Sequence, residues 1–199
     1  MKILAFVDLH GRRTTLKKIV ARANKDDIDM VVNAGDLTIF GDKLNSIARE
    51  LSKIKKPIIM LPYNHETDEE IKNICKKYPQ MIYLQKKWLR KKNYLFMGYG
   101  GGGFTFIDKK FEKLAVQFKK LIKKGDRVIL ISHAPPYNTK LDILENGEHC
   151  GNKSIRKFID KEKPNLVICG HIHPCANKKQ KIGKSLIINP GWKGKVIEI

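Results

Sequence analysis

Residues 2–11, KILAFVDLHG, carry the reading that decides the fold. The short, mainly apolar run Lys2–Val7 reads as a buried strand. It stops at Asp8-Leu9-His10-Gly11, where two polar side chains two positions apart point the same way. One lysine followed by an apolar run could also open a signal peptide. Asp8 and His10 interrupt the run, however, and no small-residue cleavage site follows.

Outward from this strand, apolar runs alternate with helical spacing. Residues 14–24 place Leu16, Ile19, Val20 and Ala23 on one face, and residues 43–55 do the same with Leu44, Ile47, Leu51 and Ile54. Strands are expected over 29–34 and 58–61, and a further helix over 68–77. This βαβαβ order predicts a parallel sheet with right-handed crossovers. Short strands over 81–84, 87–89 and 94–97 follow, then a helix over 111–123, a strand over 127–132, a helix over 154–161 and a strand over 165–169. The last three strands, 180–182, 185–188 and 195–199, read as antiparallel. No linker or repeat divides the chain, so residues 1–199 are expected to form one domain.

Composition narrows the class. Hydrophobic residues make up 42% of 199, enough for a core, and the 30% that are charged are spread along the chain rather than gathered in a tail. Forty Lys and Arg against twenty Asp and Glu leave a net charge of +20, a field that draws anions such as phosphorylated small molecules, nucleotides or nucleic acid. A lysine-rich surface also arises for solubility or heat tolerance, so charge alone does not choose among these. No run reaches the roughly 20 apolar residues of a membrane span. Cys75, Cys150, Cys169 and Cys175 form no C-x-x-C pair and read as free thiols of a reducing cytoplasm.

The placement of polar residues is the informative pattern. The apolar runs end in Asp8-x-His10, in Gly35-Asp36, in Tyr63-Asn64-His65-Glu66, in His133 and in Gly170-His171-x-His173. Sites of open α/β sheets form outside the carboxyl ends of the strands, so five strand ends deliver to one rim. Five of the six histidines sit there. Taken alone, Asp36 is a turn or helix-capping residue and His133, beside two prolines, a turn histidine. Together, the imidazoles, carboxylates and amide make a mixed nitrogen and oxygen set suited to transition metals. They are too many for one tetrahedral ion and enough for two ions sharing a carboxylate, the arrangement that clamps a phosphoryl group.

This ordered set, with Ser132-His133-Ala134-Pro135-Pro136 and Gly170-His171-Ile172-His173-Pro174, resembles the calcineurin-like metallophosphoesterase superfamily, most closely its small stand-alone bacterial and archaeal members. The motifs run from Asp8 to His173 and so span most of the chain. The resemblance implies an α/β fold, a four-layer α/β/β/α sandwich of two mixed sheets flanked by helices. It implies Asp8, His10 and His173 on a first metal, Asn64, His133 and His171 on a second, and Asp36 bridging both. It implies two divalent transition metal ions, manganese first among Mn, Fe, Ni, Co and Zn. The activity implied is hydrolysis of small phosphodiesters or phosphomonoesters by in-line attack of a metal-bridging hydroxide, with His65 as general acid.

The chain departs from the family pattern at Tyr63, where glycine is usual. Tyrosine is costly there if positive φ is needed, unless it stacks on a substrate ring. The arginine-containing extension of the protein-phosphatase branch is missing after Gly35-Asp36, which argues against a phosphoprotein phosphatase. Tyr63 and His149 are expected as substrate contacts. Glu66 reads as a cap of the next helix. Residues 98–104, rich in glycine, read either as a loop at the substrate mouth or as a plain turn, and Lys86, Lys87, Arg90, Lys91 and Lys92 read as a solvated sheet edge. The expected partner is a small phosphorylated substrate or nucleotide, with nucleic acid left open by the charge, no membrane, and a homo-oligomer also open. Two other functions stay in view: a nuclease or RNA-end-processing phosphodiesterase, and a non-catalytic binding module on the same fold.

Overall fold

The alternation of apolar and amphipathic stretches resolves into two sheets, each with helices on its outer face; the computed structural model describes residues 1–199. The first sheet begins with β1 (Lys2–Phe6), β2 (Met30–Asn33), β3 (Ile58–Met60) and β4 (Met81–Tyr83), all parallel neighbours in that order. Between them run α1 (Arg13–Ala23), α2 (Leu44–Leu51) and α3 (Asp68–Lys77). The second sheet is built from β5 (Trp88–Lys91), β6 (Tyr94–Tyr99), β7 (Arg127–Ser132), β8 (Leu166–Ile168), β9 (Lys179–Ile182) and β10 (Ser185–Ile188), in the order β5-β6-β7-β8-β10-β9. It carries α4 (Lys109–Leu121) and α5 (Lys153–Glu162). β6, β7, β8 and β10 are parallel, and β5 and β9 close the edges antiparallel.

The strands are apolar on both faces because both faces are covered. Ile3, Ala5 and Val7 point toward Phe96, Ile129, Ile131, Leu166 and Ile168 of the second sheet, forming the central layer of the core. Leu4 and Phe6 point the other way, onto Leu16, Ile19, Ile47 and Ile71 of the helices. Leu130, Val167 and Ile187 pack on Phe111, Phe118, Ile155 and Phe158. This is the expected four-layer α/β/β/α sandwich of two mixed sheets. The helix starts are chemically specified. Thr67 and Glu70 make a reciprocal capping box on α3, and Asp108 and Asn152 cap α4 and α5 with their side chains.

One pairing differs from expectation. β9 and β10 are antiparallel, but the final strand, β11 (Lys195–Glu198), leaves them and pairs antiparallel with β1, Lys2 opposite Glu198. A four-residue strand specifies its buried face but not its neighbour. The helix expected over 43–55 ends at Leu51, where Ser52 and Ile54 turn back on Ala48 and Leu51. The basic residues of β5 lie on an edge strand, as expected. All four cysteines are free thiols, and no helix is long and apolar enough to cross a membrane.

Candidate metal centre

Both sheets present the carboxyl ends of their parallel strands to one rim. Past β1 and β2 the two chains stay in register: Asp8 N–H donates to Gly35 O, His10 N–H to Asp36 O and Gly11 N–H to Leu37 O. Past β7 and β8, Gly170 N–H donates to His133 O. The rims meet where His171 N–H donates to the Asp8 carboxylate at 3.1 Å. Three overlapping groups result, Asp8 with His10 and His173, His10 with Asp36 and His65, and Asp8 with Asp36 and His133, each with ligand atoms within 4.8 Å of one another.

The backbone is strained at this spot. Asp8, His10, Asp36 and His171 all lie in the left-handed region, with φ of 53°, 45°, 51° and 69°. Such conformations cost about 1–3 kcal/mol each and persist where surrounding contacts impose them. Two glycines allow the close approach. A Cβ on Gly35, itself at φ 109°, would meet His133 Nδ1 at 2.6 Å, and one on Gly170 would run into Val7 Cγ2. Tyr63 is not among the residues with positive φ, so tyrosine carries no backbone penalty here. Its ring lies on His133, with centroids 3.7 Å apart and planes at 20°.

Hydrogen bonds assign the imidazole protons. His10 Nδ1 faces the carbonyl of Thr38 at 3.2 Å, and His133 Nδ1 faces that of Ala34 at 2.9 Å. A carbonyl only accepts, so both Nδ1 atoms carry hydrogen and both Nε2 lone pairs are bare. His65 is the reverse. Its Nδ1 accepts from the Phe40 N–H at 3.2 Å, so the neutral ring carries its proton on Nε2, which faces Asp36 Oδ2 at 3.8 Å.

Burial dominates the charge states. It lifts the Asp8 carboxyl to about 7, and it lifts Asp36 to about 8 with help from the neighbouring Asp8 and Glu66 charges. It lowers His10 and His171 to about 4, and it holds His133 well below its ordinary range. Without cations the centre therefore avoids charge of either sign.

The donors fit divalent cations. Asp36 Oδ1, His133 Nε2 and His171 Nε2 are buried with no hydrogen-bond partner, and leaving such groups unpaired costs about 1–3 kcal/mol each. His10 Nε2 and His173 Nε2 stand 3.1 Å apart, as two ligands on one ion would at roughly 2.1 Å from it.

Not every expected residue lies in these contacts. Asn64 is exposed on the turn between Tyr63 and His65. Tyr63 is half-buried and stacks one face of its ring on His133. His149 lies on another loop, its Nδ1 2.8 Å from fully buried Asp142 Oδ1 and its ring 5.9 Å from that of Tyr137. Glu66 does not cap α3. Buried, it accepts from Thr38 N–H and Thr38 Oγ1, both at 2.6 Å, and so clamps the segment after Asp36. The sequence held the signal for this, because Thr67-x-x-Glu70 already completes the cap and leaves Glu66 for other work. The glycine run is not a plain turn. Gln85 brackets Gly100 with two hydrogen bonds, and a Cβ on Gly100 would meet Pro62 O.

A family model described as calcineurin-like phosphoesterase matches residues 1–175. The chain is 34% identical to the Methanocaldococcus jannaschii protein MJ1162, over 97% of this chain and 89% of that one. Among solved structures, TT1561 of Thermus thermophilus superposes with a TM-score of 0.72 at 20% identity, covering 96% of this chain and 89% of the other. A dimetal phosphatase from Danio rerio superposes with a TM-score of 0.63 at 10% identity, covering 94% and 86%. At these identities the solved structures speak for the fold.

Proposed function

Because the chain belongs to the calcineurin-like phosphoesterase family, we propose that it hydrolyses small phosphodiesters or phosphomonoesters at a dinuclear centre held by Asp8, His10, Asp36, Asn64, His133, His171 and His173. The observation that carries this reading is the split in imidazole protonation. His10 and His133 turn bare Nε2 atoms inward, as metal ligands must, whereas His65 turns an N–H inward, as a donor to substrate must. Asp8, His10 and His173 form one holding group. Asp36 belongs to two of the groups, one with His10 and one with Asp8 and His133, where one carboxylate can serve two ions. Asn64 joins the second ion by turning its exposed amide inward. Two divalent cations, manganese first, supply Lewis acidity toward the phosphoryl oxygens and a water acidic enough to attack.

The chain's own residues do the rest. His65 places its Nε2–H on the ester oxygen that departs. Full proton transfer from a neutral ring leaves an imidazolate, and prior protonation at Nδ1 is blocked by the Phe40 N–H. As held here, His65 stabilises the leaving oxygen by hydrogen-bond donation, and it becomes a full acid only when the Phe40 amide withdraws. Glu66 and Thr38 fix the backbone that carries Asp36, and the Thr38 carbonyl orients His10. His149, fixed through Asp142, contacts the distal part of the substrate.

The test is turnover of bis(p-nitrophenyl) phosphate and p-nitrophenyl phosphate by protein carrying two Mn²⁺ per chain. The expected result is turnover of at least one, and no turnover in fully loaded protein overturns the reading. The net charge of +20 favours a second reading, a nuclease or RNA-end-processing phosphodiesterase. It predicts single-stranded oligonucleotide binding that weakens steeply with salt, and salt-insensitive binding excludes it.

A further inference from the structure

Two of the most exposed large apolar side chains stand on either side of the centre. Phe40 is 79% exposed and Phe104 is 63% exposed. Neither has an apolar partner in the core clusters, and each lies against an imidazole of the site. Phe40 faces His65 with centroids 4.5 Å apart, and Phe104 faces His171 at the same separation. They belong to different sheets' loops. Phe40 follows β2, in a left-handed turn at φ 47°, and Phe104 follows β6. Both turns are held from behind. Gly41 N–H donates to Thr38 Oγ1, which donates to buried Glu66, and the Phe104 loop hangs from Gly100 bracketed by Gln85. Two phenylalanines held out to water at a catalytic rim, Phe40 on strained backbone, call for a ligand.

The histidines give the two sides different meanings. His65 faces the departing ester oxygen, so Phe40, beside it, flanks the leaving group. His171, with Tyr63 and His133 behind it at ring separations of 5.3 Å, marks the other side, assigned here to the retained ester group of a diester. A monoester has no organic group to place there. We propose that Phe40 and Phe104 are specificity residues that receive the leaving and retained organic groups respectively, so that the preferred substrates are phosphodiesters carrying a flat or apolar group on both ester oxygens. This rests on the phosphoesterase reading above, and it settles in favour of the diester a choice that reading leaves open.

The reaction is ordinary hydrolysis. Water adds to phosphorus, the bond to the leaving oxygen breaks, and that oxygen departs with one proton while the retained ester stays on the phosphate.

The experiment compares two diesters that share a p-nitrophenyl leaving group and differ only in the retained group, bis(p-nitrophenyl) phosphate and methyl p-nitrophenyl phosphate. It uses Mn²⁺-loaded wild type, Phe104→Ala and Phe40→Ala, with metal content measured in each. Phe104→Ala is expected to lower the ratio of kcat/KM for the bis-aryl over the methyl ester about tenfold, mostly through KM, and Phe104→Tyr is expected to restore it. Phe40→Ala is expected to lower both esters by a similar factor of about tenfold and leave the ratio within about twofold. Direct binding of diphenyl phosphate, followed by calorimetry, is expected to weaken about tenfold in Phe104→Ala. A ratio unmoved by Phe104→Ala, or moved as far by Phe40→Ala, overturns the assignment while leaving the phosphoesterase reading intact. Absence of turnover in metal-loaded wild type removes both.

Discussion

The two rims that meet at the centre are built differently. The first sheet contributes carboxylates, Asp8 and Asp36, together with His10 and the His65 turn, on backbone that is left-handed at three of these residues. The second sheet contributes only imidazoles, His133, His171 and His173, of which His171 alone is left-handed. The first rim also carries its own brace, Glu66 on the amides of Leu37 and Thr38, while the second is positioned mainly by strand neighbours such as Tyr99 O accepting from His133 N–H. Carboxyls and most of the strained backbone sit together on one side, and imidazoles on backbone that is left-handed only at His171 sit on the other. A centre made this way needs both sheets, so cations held at the rim would also tie the two layers together.

The largest effect comes from removing charge on the first rim. Asp36→Asn is expected to lower turnover by on the order of a thousandfold or more and to reduce bound Mn²⁺ below two per chain, read by steady-state kinetics and elemental analysis. Near-normal metal content would mean that Asp36 is not shared. Next is His65→Asn, whose Oδ1 keeps an acceptor near Nδ1's position for the Phe40 N–H but removes the Nε2–H donor. A loss of about 10²–10³ in kcat with metal content unchanged is expected. Loss of metal instead would move His65 from donor to ligand.

Glu66→Gln tests the brace. It loosens Thr38, and with it Asp36 and the acceptor of His10, so Mn²⁺ affinity should fall about 10–100-fold while kcat at saturating metal changes little. An unchanged affinity would mean that the first rim holds its shape without help.

The smallest effect is on pH. Asp8 and Asp36 have folded values of about 7 and 8 against an ordinary 3.8, so their contribution to stability is present below about 4 and lost as pH rises through 7 to 8. The histidines are shifted down from 6.5, so their contribution is lost only as pH falls below that value. Between pH 6.5 and 8 the carboxyls act alone, and metal-free protein should lose on the order of 1–2 kcal/mol. Loaded protein should show no such decline, and Mn²⁺ binding at pH 7 should release protons, visible by calorimetry in buffers of different ionisation enthalpy. A metal-free Tm that rises across this range would contradict the burial of Asp8 and Asp36.

The legible part of this molecule was the part set by local pattern. Asp8, His10, Asp36, His133 and His171 could be read because each ends an apolar run, and the end of a buried strand has one place to go. The protonation of His65 could not be read, since it depends on a backbone amide 25 residues away. Phe40 and Phe104 carried no signal, because an isolated phenylalanine in a loop is ambiguous until its exposure is known. The crossing of β11 to β1 was hidden for the same kind of reason, as alternation along a short strand names a face and not a partner.

The most direct measurement is anomalous scattering from crystals grown with Mn²⁺. Two peaks about 3.5–4 Å apart are expected, one against Asp8, His10 and His173, the other against His133 and His171 with the Asn64 amide turned inward, and Asp36 between them. A single peak, or peaks away from Asp36, would contradict a shared centre built from both rims.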